Sequence, residues 1–253
     1  MTRTSTTRNS DLLAGFACLL SPKDREALND ALTHAEDVIV FGSRAAEVNS
    51  KASDVDILCV GESVRRYKSD QLDLVARTPN EIAGAKWLGS ELANHVLAYG
   101  IVARGASQWR DDIRLAEAAI IHKESRLLAL ADGLWTYWDR LHPEIRKQYL
   151  TTIRRELQRL QLLGDNIAVP PTPLLDRSWE KKIGAGPAEV WLTGIGRIRT
   201  GSMATRERLL RTADLILRNR RNTSPIASLD VSFSSATGPI TSDSFGIFGG
   251  VGN

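Results

Sequence analysis

FGSRAAEVNSKASDVDI, residues 41–57, joins two strongly apolar runs through a short polar segment. Upstream, Val38-Ile39-Val40 continue into Phe41 as an unbroken β-branched and aromatic run, the pattern of a strand buried on both faces. Gly42 ends that run, and Ser43 opens a short helix expected through about Val48. The polar stretch Asn49 to Ser53 then returns the chain to a second strand, expected over Asp54 to Val60. A glycine here permits a tight turn and the close approach of a ligand, and a helix start beside it presents unpaired backbone N–H groups, so Gly42 and Ser43 read as a place for phosphate. Arg44 is a further phosphate candidate, with a solvated helix arginine as the other reading. A Gly-Ser turn alone is common.

Asp54 and Asp56 add the chemistry. Two residues apart on a strand, they share one face, with Val55 pointing to the other. Like charges held so close repel, which makes the pair a poor way to finish a core. A hard divalent cation removes the objection, because magnesium takes carboxylate oxygens and shares its shell with substrate phosphates. Asp73 interrupts the apolar Leu72 and Leu74 of a third expected strand, Gln71 to Ala76, where a carboxylate is costly unless exposed, hydrogen-bonded or bound to a cation. If that strand lies beside Asp54 to Val60, three carboxylates converge near the Gly42-Ser43 turn. Such a set can hold magnesium, or manganese in its place, for attack by an acceptor oxygen on the α-phosphate of a nucleoside triphosphate.

GSRAAEVNSKASDVDILCV, residues 42–60, resembles the signature of the DNA polymerase β-like nucleotidyltransferase superfamily, a Gly-Ser turn and short helix followed by an Asp-x-Asp strand. The resemblance covers roughly Val38 to Ala76 and extends toward Gly105. It implies an α/β nucleotidyltransferase-type mixed sheet, with Gly42 and Ser43 at the triphosphate, Asp54 and Asp56 as paired metal ligands, and Asp73 as the third carboxylate that helps activate the acceptor hydroxyl. Glu47 departs from the pattern, since many relatives have glycine there.

Outward from this unit, Ser21 caps a helix with Pro22 in its first position, and Asp24 closes a variant of the capping box. Gly61 to Asp70 is a connection bearing Arg65, Arg66 and Lys68, any of which could neutralise substrate phosphate. Thr78-Pro79 marks a new start, with helices over Asn80 to Ala85 and Glu91 to His95 and a further strand within Val96 to Ala103. The texture changes after Trp109 to a mainly helical C-terminal region. Helices are expected over Asp112 to Trp138, Pro143 to Leu163 and Thr205 to Arg218. Apolar faces are formed by Ile145, Tyr149, Ile153, Leu157 and Leu160 in the second and by Leu209, Leu210, Ala213 and Leu217 in the third. Trp135, Tyr137 and Trp138 offer either surface for an acceptor or filling for an interhelical core. Three segments result: a nucleotidyltransferase domain over 11–110, a helical acceptor-selecting or partner-binding domain over 111–221, and a Ser/Gly-rich tail over 222–253 on which no fold is imposed.

Composition sets the class. With 42% hydrophobic and 25% charged residues, the chain has ordinary globular texture, and no apolar run is long enough for a membrane span. The run from Leu12 to Leu20 lacks the marks of an export signal, so a cytoplasmic protein is expected. Cys18 and Cys59 belong to no metal-binding spacing and read as small buried hydrophobes. Residues 1–110 carry 13 Lys/Arg against 14 Asp/Glu, and residues 111–253 carry 20 against 16, so the excess of positive charge lies in the second half. Arg197 to Arg221 concentrates it, as a nucleic-acid-steering surface or as a solvated helix face.

The expected activity is transfer of a nucleoside monophosphate, with AMP as first choice, from ATP or another nucleoside triphosphate to a hydroxyl on a small molecule or protein. The alternatives are an RNA-directed nucleotidyltransferase, favoured by the basic segment, and a toxin-neutralising or regulatory protein of a toxin–antitoxin pair, which the resemblance also allows.

Overall fold

The computed structural model describes residues 13–50, 53–183 and 198–221. The expected tail over 222–253 lies outside the described residues. Five strands form one mixed sheet, ordered β3-β4-β2-β1-β5. They are β1 (Asp37–Phe41), β2 (Val55–Val60), β3 (Tyr67–Lys68), β4 (Leu72–Arg77) and β5 (Ile101–Arg104). Both the expected α/β class and the mainly helical C-terminal region are present.

Alternation along the central strands sorts the apolar side chains into two layers. Val38, Val40, Val55, Ile57, Cys59, Leu72 and Leu74 face Leu28 and Ala31 of helix α1 (Pro22–His34). Ile39, Phe41, Leu58 and Val60 face the opposite layer, which includes Ile82, Trp87, Ala93, Val96 and Ile113. After α1, the helices of this part are α2 (Gly42–Ala45), α3 (Pro79–Ala83), α4 (Ala85–Leu88) and α5 (Glu91–Tyr99), the last of which carries Ala93 and Val96.

Local signals fix several boundaries. Ser21 caps α1 by accepting from Asp24 N at 3.2 Å, but its own backbone N–H goes to Gln71 Oε1 at 2.8 Å rather than to Asp24. Asp24 turns inward, where Tyr67 Oη donates to it at 2.8 Å. Thr78 and Glu81 form the capping box of α3. The helix expected over 80–85 is divided at Gly84, the N-cap of α4. Ser90 caps α5, accepting from Ala93 N at 3.1 Å, and that helix runs to Tyr99, so the strand expected from Val96 starts only at Ile101, after Gly100. Cys59 is buried as expected and its thiol is pushed up to about 12 by burial; Cys18 is exposed, a correction to the expectation for both.

Among the described residues, the second half contains the helices α6 (Glu117–Thr136), α7 (Pro143–Gly164), α8 (Thr172–Ile183) and α9 (Met203–Arg221). The helix expected from Asp112 to Trp138 runs only over Glu117–Thr136, and Asp112 instead closes a 3-10 turn, Gln108–Asp112. Leu127, Leu134, Ile153, Leu157, Leu160, Leu209 and Ala213 share its core, whereas Leu210 and Ile145 remain exposed despite their helical spacing. Trp135 donates Nε1 to Thr212 Oγ1 at 2.8 Å and stacks on Trp138 at 4.9 Å, so this aromatic pair serves helix packing.

Candidate active site

The strand registers place four residues in one row across the sheet. Phe41 of β1 opposes Asp56 of β2, Asp56 opposes Asp73 of the parallel strand β4, and Asp73 opposes Lys68 of β3. Residues opposed in register project from the same face, so Asp56, Asp73 and Lys68 come together where β1 ends and β2 and β4 begin. Backbone N–H of Val55 donates to Gln71 O at 2.8 Å, which holds these two strand starts level. Asp54 stands one residue ahead of β2.

Gly42 ends β1 with φ +75°, the left-handed region that suits glycine. A Cβ there would overlap Asp56 Oδ2 and stand 2.8 Å from Asp56 Cγ, so the missing side chain makes room for the carboxylate. Ser43 follows in α2. Arg44 turns back, donating Nε to Asp54 O at 3.1 Å and Nη2 to Ser53 O at 2.5 Å. These bonds tie the end of the loop to α2 and give Arg44 a positioning part that its sequence context did not disclose. The short helix stops at Ala45, earlier than expected, and Glu47 takes φ 56°. Glu47 thus holds a left-handed backbone conformation that a residue with a side chain disfavours.

The electrostatics are strained in one direction. Burial, then the charges of Asp54 and Asp73, push the Asp56 carboxyl up to about 7, against the opposing pull of Lys68 and Arg44. Lys68 Nζ lies 2.5 Å from Asp73 Oδ2. The other Asp73 oxygen, Oδ1, is buried without a hydrogen-bond partner. Among the described residues, no three acidic, His or Cys side chains form a ready-made metal cluster. The donor set nonetheless fits a hard divalent cation in type and charge: closely placed carboxylates, one whose charge is disfavoured by burial and by its acidic neighbours and one with an unsatisfied buried oxygen. Asp54, Asp56 and Asp73 are the residues that would hold it.

A family model for the nucleotidyltransferase domain matches residues 25–152, from α1 through the first part of α7. The chain belongs to the nucleotidyltransferase domain family. The matched span contains the whole sheet and every residue of the row. Among solved structures, the chain is similar to a nucleotidyltransferase-like protein from Exiguobacterium sibiricum 255-15. The two share 14% identity over 76% of this chain and 72% of that one, with a TM-score of 0.37. It is also similar to a toxin–antitoxin solved with AMP-PNP, at 19% identity over 46% of this chain and 92% of that one, with a TM-score of 0.23. No curated protein matches. Among the described residues, no helix is long and apolar enough to cross a membrane.

Sequence reasoning missed β3 and therefore the partner of Asp73. Lys68 was one of three interchangeable basic residues until pairing with β4 set it apart. Its only sequence signal was Tyr67-Lys68 close before Ser69-Asp70, a two-residue strand and turn too short for alternation to reveal.

Proposed function

We propose that the protein transfers a nucleoside monophosphate, AMP in the first instance, from a nucleoside triphosphate to a hydroxyl of a small molecule or protein, with release of pyrophosphate. The observation that carries this reading is the row of Asp56 and Asp73 beside the Gly42 turn, with a buried carboxylate oxygen lacking a partner. Asp54, Asp56 and Asp73 would hold a divalent cation, magnesium or manganese, which when bound would supply charge neutralisation at the reacting phosphate and acidify the attacking hydroxyl. Gly42 and Ser43 receive the triphosphate at the strand end, and Arg44 keeps the loop that presents Asp54 in place. Asp73 assists removal of the hydroxyl proton. The acceptor oxygen forms a bond to the α-phosphorus as the bond from that phosphorus to the bridging oxygen breaks, and pyrophosphate carries away the electron pair.

The helical half is the acceptor-selecting or partner-binding part of this reading. A small-molecule or protein acceptor is favoured over RNA by the described part of the basic segment, residues 198–218. Arg199 pairs with Glu117 at 2.8 Å, Arg211 with Glu207 at 2.7 Å and Arg218 with Asp214 at 2.7 Å, while Arg208 pairs with Asp132. Cations already matched to carboxylates make a weaker phosphate-binding surface than a free stripe.

The test is incubation of the full chain with each labelled ribonucleoside triphosphate, magnesium or manganese, and separate pools of small molecules, proteins and RNA. Cation-dependent pyrophosphate release with label on a small molecule or protein is expected. Label on RNA would replace the acceptor class. Stable partner binding with no transfer to any pool would favour the regulatory reading.

A further inference from the structure

Lys68 reaches the carboxylate row through a short, well-defined device. Ser69 Oγ accepts from the backbone N–H groups of Gln71 and Leu72, both at 3.1 Å, and Ser69 N donates to Leu72 O at 2.9 Å. This turn sets the β3–β4 register that puts Lys68 opposite Asp73. Tyr67 faces the other side of the sheet, packs with the α1 layer and donates to Asp24, which fixes the backbone of β3 from behind. Alternation then sends Lys68 to the carboxylate face. The ammonium engages Asp73 Oδ2, and its charge also acts on Asp56.

Arg44 differs. Its donors are directed at the backbone carbonyls of Ser53 and Asp54, whereas the ammonium of Lys68 is paired directly with a carboxylate of the set. Lysine is a compact point charge on a flexible stem, so it can withdraw toward solvent without leaving a rigid bidentate fork behind. The Lys68 side chain is about one-third exposed, which gives it a route out.

We propose that Lys68 is a built-in counter-ion of the carboxylate set, holding Asp73 in the metal-free protein and yielding that position when a divalent cation binds. The inference rests on the metal-dependent reading given above and adds a competitor to it: the same carboxylate oxygen serves an internal ammonium or an external cation. Lys68 is thus a positioning residue that sets the cation affinity of the site.

Manganese binding to the full chain without nucleotide, followed by electron paramagnetic resonance of the free ion, separates the two claims. In Lys68→Met, which keeps the stem and removes the charge, manganese binds about two- to fivefold more tightly, the fold-change expected for loss of a partly exposed ion pair. Lys68→Arg retains a cation and stays near the wild type. In thermal melts, metal-free Lys68→Met unfolds at a lower temperature than the wild type, and its gain on adding manganese is larger. Unchanged or weaker manganese binding by Lys68→Met overturns the counter-ion role while leaving the metal-dependent reading standing. Absence of binding by both wild type and Lys68→Met overturns both.

Discussion

Gly42 and Asp56 occupy adjoining volume: the carboxylate that follows the start of β2 sits where a side chain at the end of β1 would have to go. Gly42→Ala therefore faces two costs, a left-handed φ of about 1–2 kcal/mol for an L-residue and displacement of Asp56. If the chain still folds, a shift of the carboxylate approaching an ångström lowers transfer by about a hundredfold. Urea unfolding measures the first effect and pyrophosphate release the second. Full activity in a folded Gly42→Ala protein would remove Asp56 from the essential set.

Asp56 also makes the metal-free protein sensitive to pH. Its carboxyl lies at about 7 in the folded chain against 3.8 for the ordinary group, so the folded state holds the proton more tightly than the unfolded state. The associated stability is fully present below about pH 4 and is lost as pH rises through about 7, with a magnitude on the order of 4 kcal/mol. In chelator, wild-type stability falls over that window, and Asp56→Asn removes much of the fall. Denaturant titrations of both proteins at acidic and mildly alkaline pH decide the matter. Parallel pH profiles would show that Asp56 is not the group responsible.

The local parts of this arrangement are legible in the chain. An apolar run broken by Gly42 and two aspartates at a spacing of two need no knowledge of distant residues, because strand burial and alternation are written in consecutive positions. Asp73 was readable as an oddity among apolar neighbours, but its meaning depended on β4 lying in parallel register with β2. Lys68 and Arg44 were less legible still. One acquires its role from an edge strand of two residues, the other from backbone carbonyls nine and ten positions away, and neither relation leaves a periodic trace. The early end of α2 and the left-handed turn at Glu47 likewise leave no periodic trace.

Glu47 supplies a test of that turn. It is exposed at φ 56°, a conformation that costs an L-residue about 1–2 kcal/mol and glycine almost nothing. Glycine also gives the unfolded chain more freedom, which offsets about 0.4–1 kcal/mol of the gain. Glu47→Gly is expected to stabilise the protein by roughly 0.5–1 kcal/mol, whereas Glu47→Ala, which keeps the left-handed penalty, brings no comparable gain. Chemical denaturation of the two variants compares them directly, and equal effects would show that backbone strain at residue 47 is not the cause.

A buried ion network gives the last prediction, because it joins the sheet-covering helix α5 to the helical half. Lys123 of α6 lies 2.6 Å from Glu91 Oε2 of α5 and 2.8 Å from Glu156 Oε2 of α7, and Glu156 also meets Arg159 at 2.9 Å. The Lys123–Glu156 contact is an ion pair without well-aligned hydrogen-bond geometry at Oε2, so its strength is chiefly Coulombic. Burial pushes the Glu156 carboxyl up, but the charges of Lys123 and Arg159 outweigh it and hold the group below its ordinary value. The stability this contributes is present above the unfolded value of 4.5 and is lost as pH falls through the lower folded one. Lys123→Met leaves Glu156 buried with one cation fewer and is expected to cost about 3–5 kcal/mol at neutral pH. Adding Glu156→Gln removes the stranded charge, so the double variant should lose less than the sum of the two single losses. Urea unfolding of the three variants tests this coupling, and strictly additive losses would mean that Lys123 and Glu156 stabilise the junction independently.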